Sequence, residues 1–180
     1  GEYGYDLLVP NARAGEVRDR LAAAGQAFDL VTVGVDLLDL CALENWFFNV
    51  RSAGQAALSP LELQLRWRLG RHKEYVGASA LAARVQTQRV TSVVGAGLSV
   101  GAQVWASAPV GTVVDAAFSP IMGQWVGLAL LDLRWAHPGW TLRVDGEPVR
   151  TVSAPFLENR SLYVHPQQHS YATRDEHSFA

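Results

Sequence analysis

The sequence predicts an α+β protein in which a segment of alternating helix and strand signals precedes a run of short β-strands forming a small barrel or sandwich. Two observations carry this expectation. Up to about residue 87, apolar residues at helical spacing alternate with short apolar runs; from Arg89 onward the apolar positions follow period two. Gly, Pro, Ser and Asn then interrupt the chain at intervals of about 8–15 residues, the rhythm of a small all-β unit. The expected division is 1–87, 88–157 and a polar tail, 158–180.

In order, Tyr5-Asp6-Leu7-Leu8-Val9 reads as a strand stopped by Pro10-Asn11. Val17, Leu21 and Ala24 predict a helix over 16–24 that Gly25 ends. A second strand is expected from Phe28 to Val33. Val35, Leu37, Leu38, Leu40, Cys41 and Leu43 predict a helix apolar over most of its surface, and hence buried. Ser59-Pro60-Leu61-Glu62 is a helix opening, with a capping serine, proline in first position and an early acid. A short helix follows over 78–84. The β-rich runs are centred on Val90, Val93-Val94, Val104-Trp105, Val110–Val114, Val126–Leu131, Leu142–Val144 and Val149–Val152. Asp145-Gly146 between two of them predicts a two-residue hairpin, because both central residues need positive φ.

Composition narrows the function classes. The 180 residues are 49% hydrophobic and 18% charged, too apolar for a disordered chain. Fifteen basic against seventeen acidic residues give a formal charge of −2, which argues against a dedicated nucleic-acid binder. No apolar run approaches the roughly 20 residues that span a bilayer. Gly1–Asp6 is polar without a basic leader, and Cys41 is the single cysteine, so the expectation is a cytoplasmic protein in a reducing compartment.

Chemistry-bearing residues are few. His165, His169 and His177 lie in the polar tail beside Pro166, without the helix that would hold two of them on one face for zinc, and no metal is expected. Gly95, Gly97 and Gly101 precede strands rather than a helix, unlike a phosphate loop. Cys41 reads as an inert core thiol. The run from Arg66 to Lys73 is locally basic; it suits either a solvated helix end or an anionic group such as a carboxylate tail. Glu2, Asp6 and Glu44 adjoin apolar residues, where a carboxylate must be paired or shift its pKa.

Taken together, these segments resemble the glycine cleavage system aminomethyltransferase (T-protein) family, which includes tetrahydrofolate-dependent O-demethylases. Gly1-Glu2-Tyr3-Gly4-Tyr5-Asp6-Leu7 is similar to its Gly-Glu-x-Gly-Tyr-Glu-Leu motif, and 34–44, ending Leu43-Glu44, to its Arg-Leu-Glu helix. Ser59–Glu62, Leu65-Arg66-Trp67 and Lys73–Gly77 resemble the segment joining core to last domain. Val110–Val113, Ser119-Pro120-Ile121-Met122-Gly123, Val126–Ala129 and Gly146–Phe156 resemble its barrel. The resemblance departs where Leu38, Ala42 and Gln124 replace arginines and where Trp46-Phe47-Phe48 replaces a Gly-Tyr-like stretch.

The resemblance implies that residues 1–87 are part of a mixed α/β core and that an antiparallel barrel follows, closing one side of a folate channel. It implies a tetrahydrofolate-dependent one-carbon or methyl transferase. A separate amino-terminal portion or partner chain would supply the aspartate near the reacting amine, and the substrate would be a small molecule. Glu2 and Tyr5 become the catalytic candidates; Glu2, Tyr5, Glu44 and Trp67 the cofactor contacts; Trp46, Phe47 and Phe48 the substrate pocket. A carboxylate such as Glu2 suits the pterin because it accepts two parallel N–H bonds from an aminopyrimidine edge. The uncharged Leu38, Ala42 and Gln124 motivate one alternative, a folate-independent isomerase, cyclase or lyase on a hydrophobic metabolite. A non-catalytic interaction module is the other.

Overall fold

The computed structural model describes residues 5–47, 58–70, 73–158, 165 and 169. The chain forms two compact units, 1–38 with 159–180 and 39–158. The division falls inside a helix.

In the first unit a 3-10 turn over Asn11–Arg13 leads into α1 (Ala14–Gly25), followed by a second 3-10 turn, Gln26–Phe28. Gly25 keeps right-handed φ; the chain reverses instead at Asp29, φ 53°. Leu30 N–H then donates to Gly25 O at 3.1 Å, and the Leu30 side chain occupies the space a Cβ on residue 25 would need. The strands expected at Tyr5–Val9 and Phe28–Val33 do not form; both segments lack strand structure. A strand needs a neighbour to take its N–H and C=O groups, and none lies among the described residues of this unit. Leu7, Leu21, Leu30 and Val31 consequently remain exposed around an apolar hollow of 430 Å³.

Helix α2 spans Val35–Glu44. Contrary to the expectation of a buried helix, Val35, Leu37 and Leu38 are exposed, and only Leu43 and Glu44 are buried. Its last turn closes with Trp46 N–H on Leu43 O (3.2 Å) and Phe47 N–H on Ala42 O (2.7 Å), the Schellman pattern. The left-handed position that usually takes glycine is held by Trp46, φ 58°.

The Ser59 opening forms its capping box: Leu61 N–H donates to Ser59 Oγ, and Ser59 N–H and Oγ–H both donate to Glu62 Oε2. It yields a single turn rather than a helix. Glu62 O accepts Val90 N–H at 2.9 Å, and Gln64 turns left-handed at φ 59°. A 3-10 turn at Arg66–Arg68 and the short helix α3 (Ala78–Ala83) complete this segment.

The carboxy-terminal part is a closed six-stranded antiparallel barrel: β1 (Gln88–Gly95), β2 (Gln103–Trp105), β3 (Pro109–Ser119), β4 (Gln124–Asp132), β5 (Thr141–Val144) and β6 (Glu147–Val152), ordered β1-β4-β3-β2-β5-β6. β1 closes the ring by pairing with β4 (Val90 with Leu130) and β6 (Val93 with Thr151). Val93, Val104, Val113, Leu131, Leu142 and Val149 fill one core cluster. A second cluster joins Val90, Val126 and Leu128 to Leu43 and Leu63, so β1 and β4 are apolar on both faces. At Gly111 there is no room for a Cβ, which would overlap the Leu130 carbonyl. Asp145 (φ 48°) and Gly146 (φ 86°) form the expected tight turn between β5 and β6.

Candidate functional site

The functional candidates in the second unit are organised by three side-chain links. The first joins α2 to the β3–β4 turn. Met122 N–H donates to Ser119 Oγ (3.0 Å), and Ser119 Oγ–H donates to Glu44 Oε1 (2.6 Å). Phe156 N–H meets Glu44 O at 3.0 Å. Glu44, only 3% exposed, thus ties the end of α2 to the barrel at two points.

The second link is the Glu62–Arg84 pair. Arg84 Nε donates to Glu62 Oε1 at 2.9 Å, opposite the Ser59 donors on Oε2. Burial pushes the Glu62 carboxyl up, but the hydrogen bonds from Ser59 and Arg84 and the Arg84 charge outweigh it, and the net shift is downward. The third link is made by two glutamines: Gln86 Nε2 donates to Leu61 O (3.0 Å) and Gln64 Nε2 to Val90 O (2.8 Å). These bonds hold the 59–65 turn against β1.

Beside this scaffold lies a hollow of 640 Å³ lined by Leu61, Arg66, Leu69, Lys73, Tyr75, Leu81 and Arg84. Its lining mixes apolar side chains with cations and contains no carboxylate. Arg66 and Lys73, the two ends of the basic run, both line it; Arg71 and His72 between them lie outside the described residues. Such a surface takes an amphipathic anion: an apolar body against Leu69 and Leu81, and carboxylates on the two cations.

The residues singled out from the sequence are distributed as follows. Glu2 and Phe48 lie outside the described residues. Tyr5 belongs to the first unit and is 80% exposed. Trp67 is 74% exposed and outside the lining of the basic hollow, with the Arg68 guanidinium 4.8 Å over its ring. Phe47 is 49% exposed, whereas Trp46 is half-buried and lines a different hollow. Tyr75, Arg84 and Leu81 were not marked as site residues by sequence. Arg84 pairs with an acid 22 positions away, a separation at which no local pattern operates.

Cys41 is half-buried in α2. His165 N–H donates to His169 Nδ1 at 2.7 Å, and His177 lies outside the described residues. Among the described residues no three of His, Cys, Asp and Glu converge, and no helix is long and apolar enough to cross a membrane.

Residues 88–158 match the family described as the glycine cleavage T-protein C-terminal barrel domain. An aminomethyltransferase from Chlorobaculum tepidum is 28% identical over 174 residues, covering 92% of this chain and 47% of that protein. One from Mycobacterium avium is 33% identical over 140 residues, covering 73% and 38%. The crystal structure of glycine cleavage system aminomethyltransferase T from Bartonella henselae superposes with a TM-score of 0.68 at 17% identity, over 84% of this chain and 46% of that one. At that identity the superposition speaks to the fold. The chain spans about half the length of the relatives it matches, or less.

Proposed function

Because residues 88–158 are a glycine cleavage T-protein barrel domain and the chain as a whole corresponds to the carboxy-terminal half of that family, we propose that it works as part of a tetrahydrofolate-dependent one-carbon or methyl transferase. The observation that carries this reading is the carboxylate-free hollow with Arg66 and Lys73 in its lining. Folate ends in a glutamyl tail, and this surface offers two cations for it and Leu69 and Leu81 for the aromatic stem. The cofactor, when bound, supplies the nitrogen that accepts the one-carbon unit. This chain's residues bind and orient it. Trp46, Phe47 and Phe48 are proposed at the substrate.

The exposed apolar positions Leu7, Leu21, Leu30 and Val31 support a further part of this reading, an amino-terminal portion or partner chain that packs on them and excludes water from the reaction. The uncharged Leu38 and Ala42, on the helix where the family resemblance expects arginines, favour a second reading, a folate-independent enzyme acting on a hydrophobic metabolite.

Calorimetric titration of tetrahydrofolate into the chain, alone and with a protein supplying the amino-terminal region, tests the first reading. Binding should weaken roughly tenfold on Arg66→Ser or Lys73→Ser, the loss of one charge-assisted contact. Removal of the glutamyl tail from the ligand should have a similar effect. Absence of folate binding in the combined system rejects it and leaves the second.

A further inference from the structure

A separate hollow of 370 Å³ is lined by Trp46, Gln64, Arg89, Ser92, His137 and Pro155 among others, and it shares no residue with the basic hollow. Its size is that of a small-molecule site. Two independent features mark it. The Arg89 guanidinium has no hydrogen-bond or ion-pair partner among the described residues, and no carboxylate lines the hollow. Ser92, 1% exposed, carries a buried hydroxyl without a partner, the single such side-chain atom among the described residues. Trp46 and Gln64 also belong to this lining, each at the left-handed end of a Schellman turn.

We propose that this hollow binds a small, flat monocarboxylate, its carboxylate on the Arg89 fork and its plane against Trp46. One uncompensated guanidinium matches one negative charge, and its paired N–H donors fit the two oxygens of a carboxylate. A dianion such as phosphate would bring a second negative charge that Arg89 alone does not neutralise. Trp46 and Pro155 offer flat apolar surface to a ring. The Ser92 hydroxyl in the same lining is unspent within the protein. The site shares Trp46 with the proposed substrate side, and its occupancy does not depend on folate binding.

Benzoate is the probe, with benzamide as its uncharged counterpart, titrated into the full 180-residue chain with labelled indole nitrogens. Trp46→Phe assigns the Trp46 indole resonance. Benzoate should shift that resonance saturably, and benzamide should bind at least about tenfold more weakly. Arg89→Met should weaken benzoate by roughly the same factor, and Arg89→Lys by less. The proposal is overturned if benzoate leaves the Trp46 resonance unmoved up to roughly 10 mM, the weak limit for a small-ligand site. It is also overturned if benzamide binds equally well, or if folded Arg89→Met or Arg89→Lys protein retains full affinity.

Discussion

Ser119 Oγ–H donates to Glu44 Oε1 at 2.6 Å across 75 residues of sequence, with both side chains buried. The pair joins the end of α2 to the β3–β4 turn, and Met122 N–H on Ser119 Oγ completes the chain of donors. Removing the hydroxyl leaves a buried carboxylate short of a donor. Ser119→Ala should therefore cost about 1–3 kcal/mol in urea unfolding, and Glu44→Gln less, since an amide oxygen still accepts from Ser119. A double-mutant cycle should show the two positions coupled rather than additive.

Glu62 gives a pH signature. Its carboxyl is depressed in the fold by Ser59 and Arg84 against the opposing push of burial. The stabilisation is present above the ordinary carboxylate range and fades as pH falls through the lowered value. Glu62→Gln should lose on the order of 1 kcal/mol at pH 7, discounted because Arg84 is half in solvent. The difference from the parent protein should close in acid, as thermal unfolding from pH 7 down to pH 2 would register.

Asp115 has the opposite sign. Burial raises its carboxyl, the Ala116 backbone N–H partly offsets this, and the Asp39 charge adds to it. The fold thus favours the neutral form, and the ionised group costs stability once pH rises past its unfolded value. Asp115→Asn should raise the melting temperature at pH 7 by a few degrees, about 2–4 °C per kcal/mol for a chain of this size. The gain should vanish near pH 3, where both states are protonated.

At Gly111 a methyl group would overlap the Leu130 backbone carbonyl, and that atom is fixed in the β3–β4 ladder. Gly111→Ala should cost about 1–3 kcal/mol, the usual penalty of overpacking. Gly146→Ala, in the open turn at φ 86°, should cost roughly 1 kcal/mol through backbone strain alone. Comparing the two variants by chemical denaturation separates crowding from conformational strain; equal losses would refute the distinction.

The barrel was legible because its signals are local. Val90 to Val94, Val110 to Val114 and Val126 to Leu131 announce strands by residue type, and Asp145-Gly146 by the φ values it permits. Signals that depend on distant partners misled. Tyr5–Val9 has strand composition but no neighbour among the described residues of its unit, and α2 is apolar yet only its last turn meets the barrel. Ser59–Glu62 carries a complete helix opening, but Val90 N–H takes the Glu62 carbonyl that a continuing helix would have used. The same holds for the site. The Arg66–Lys73 charge is visible in sequence, whereas the Glu62–Arg84 pair and the Trp46–Arg89–Ser92 hollow exist only once the 59–65 turn lies on β1.

Because β1 bonds to β4 on one side and β6 on the other, the ring presents no free strand for another sheet to extend. Fusion, dilution or concentration of this polypeptide therefore leaves the barrel inert toward edge-to-edge polymerisation. Any companion must grip it through side chains rather than by adding a strand, so its specificity is written in residues that substitution can change one at a time.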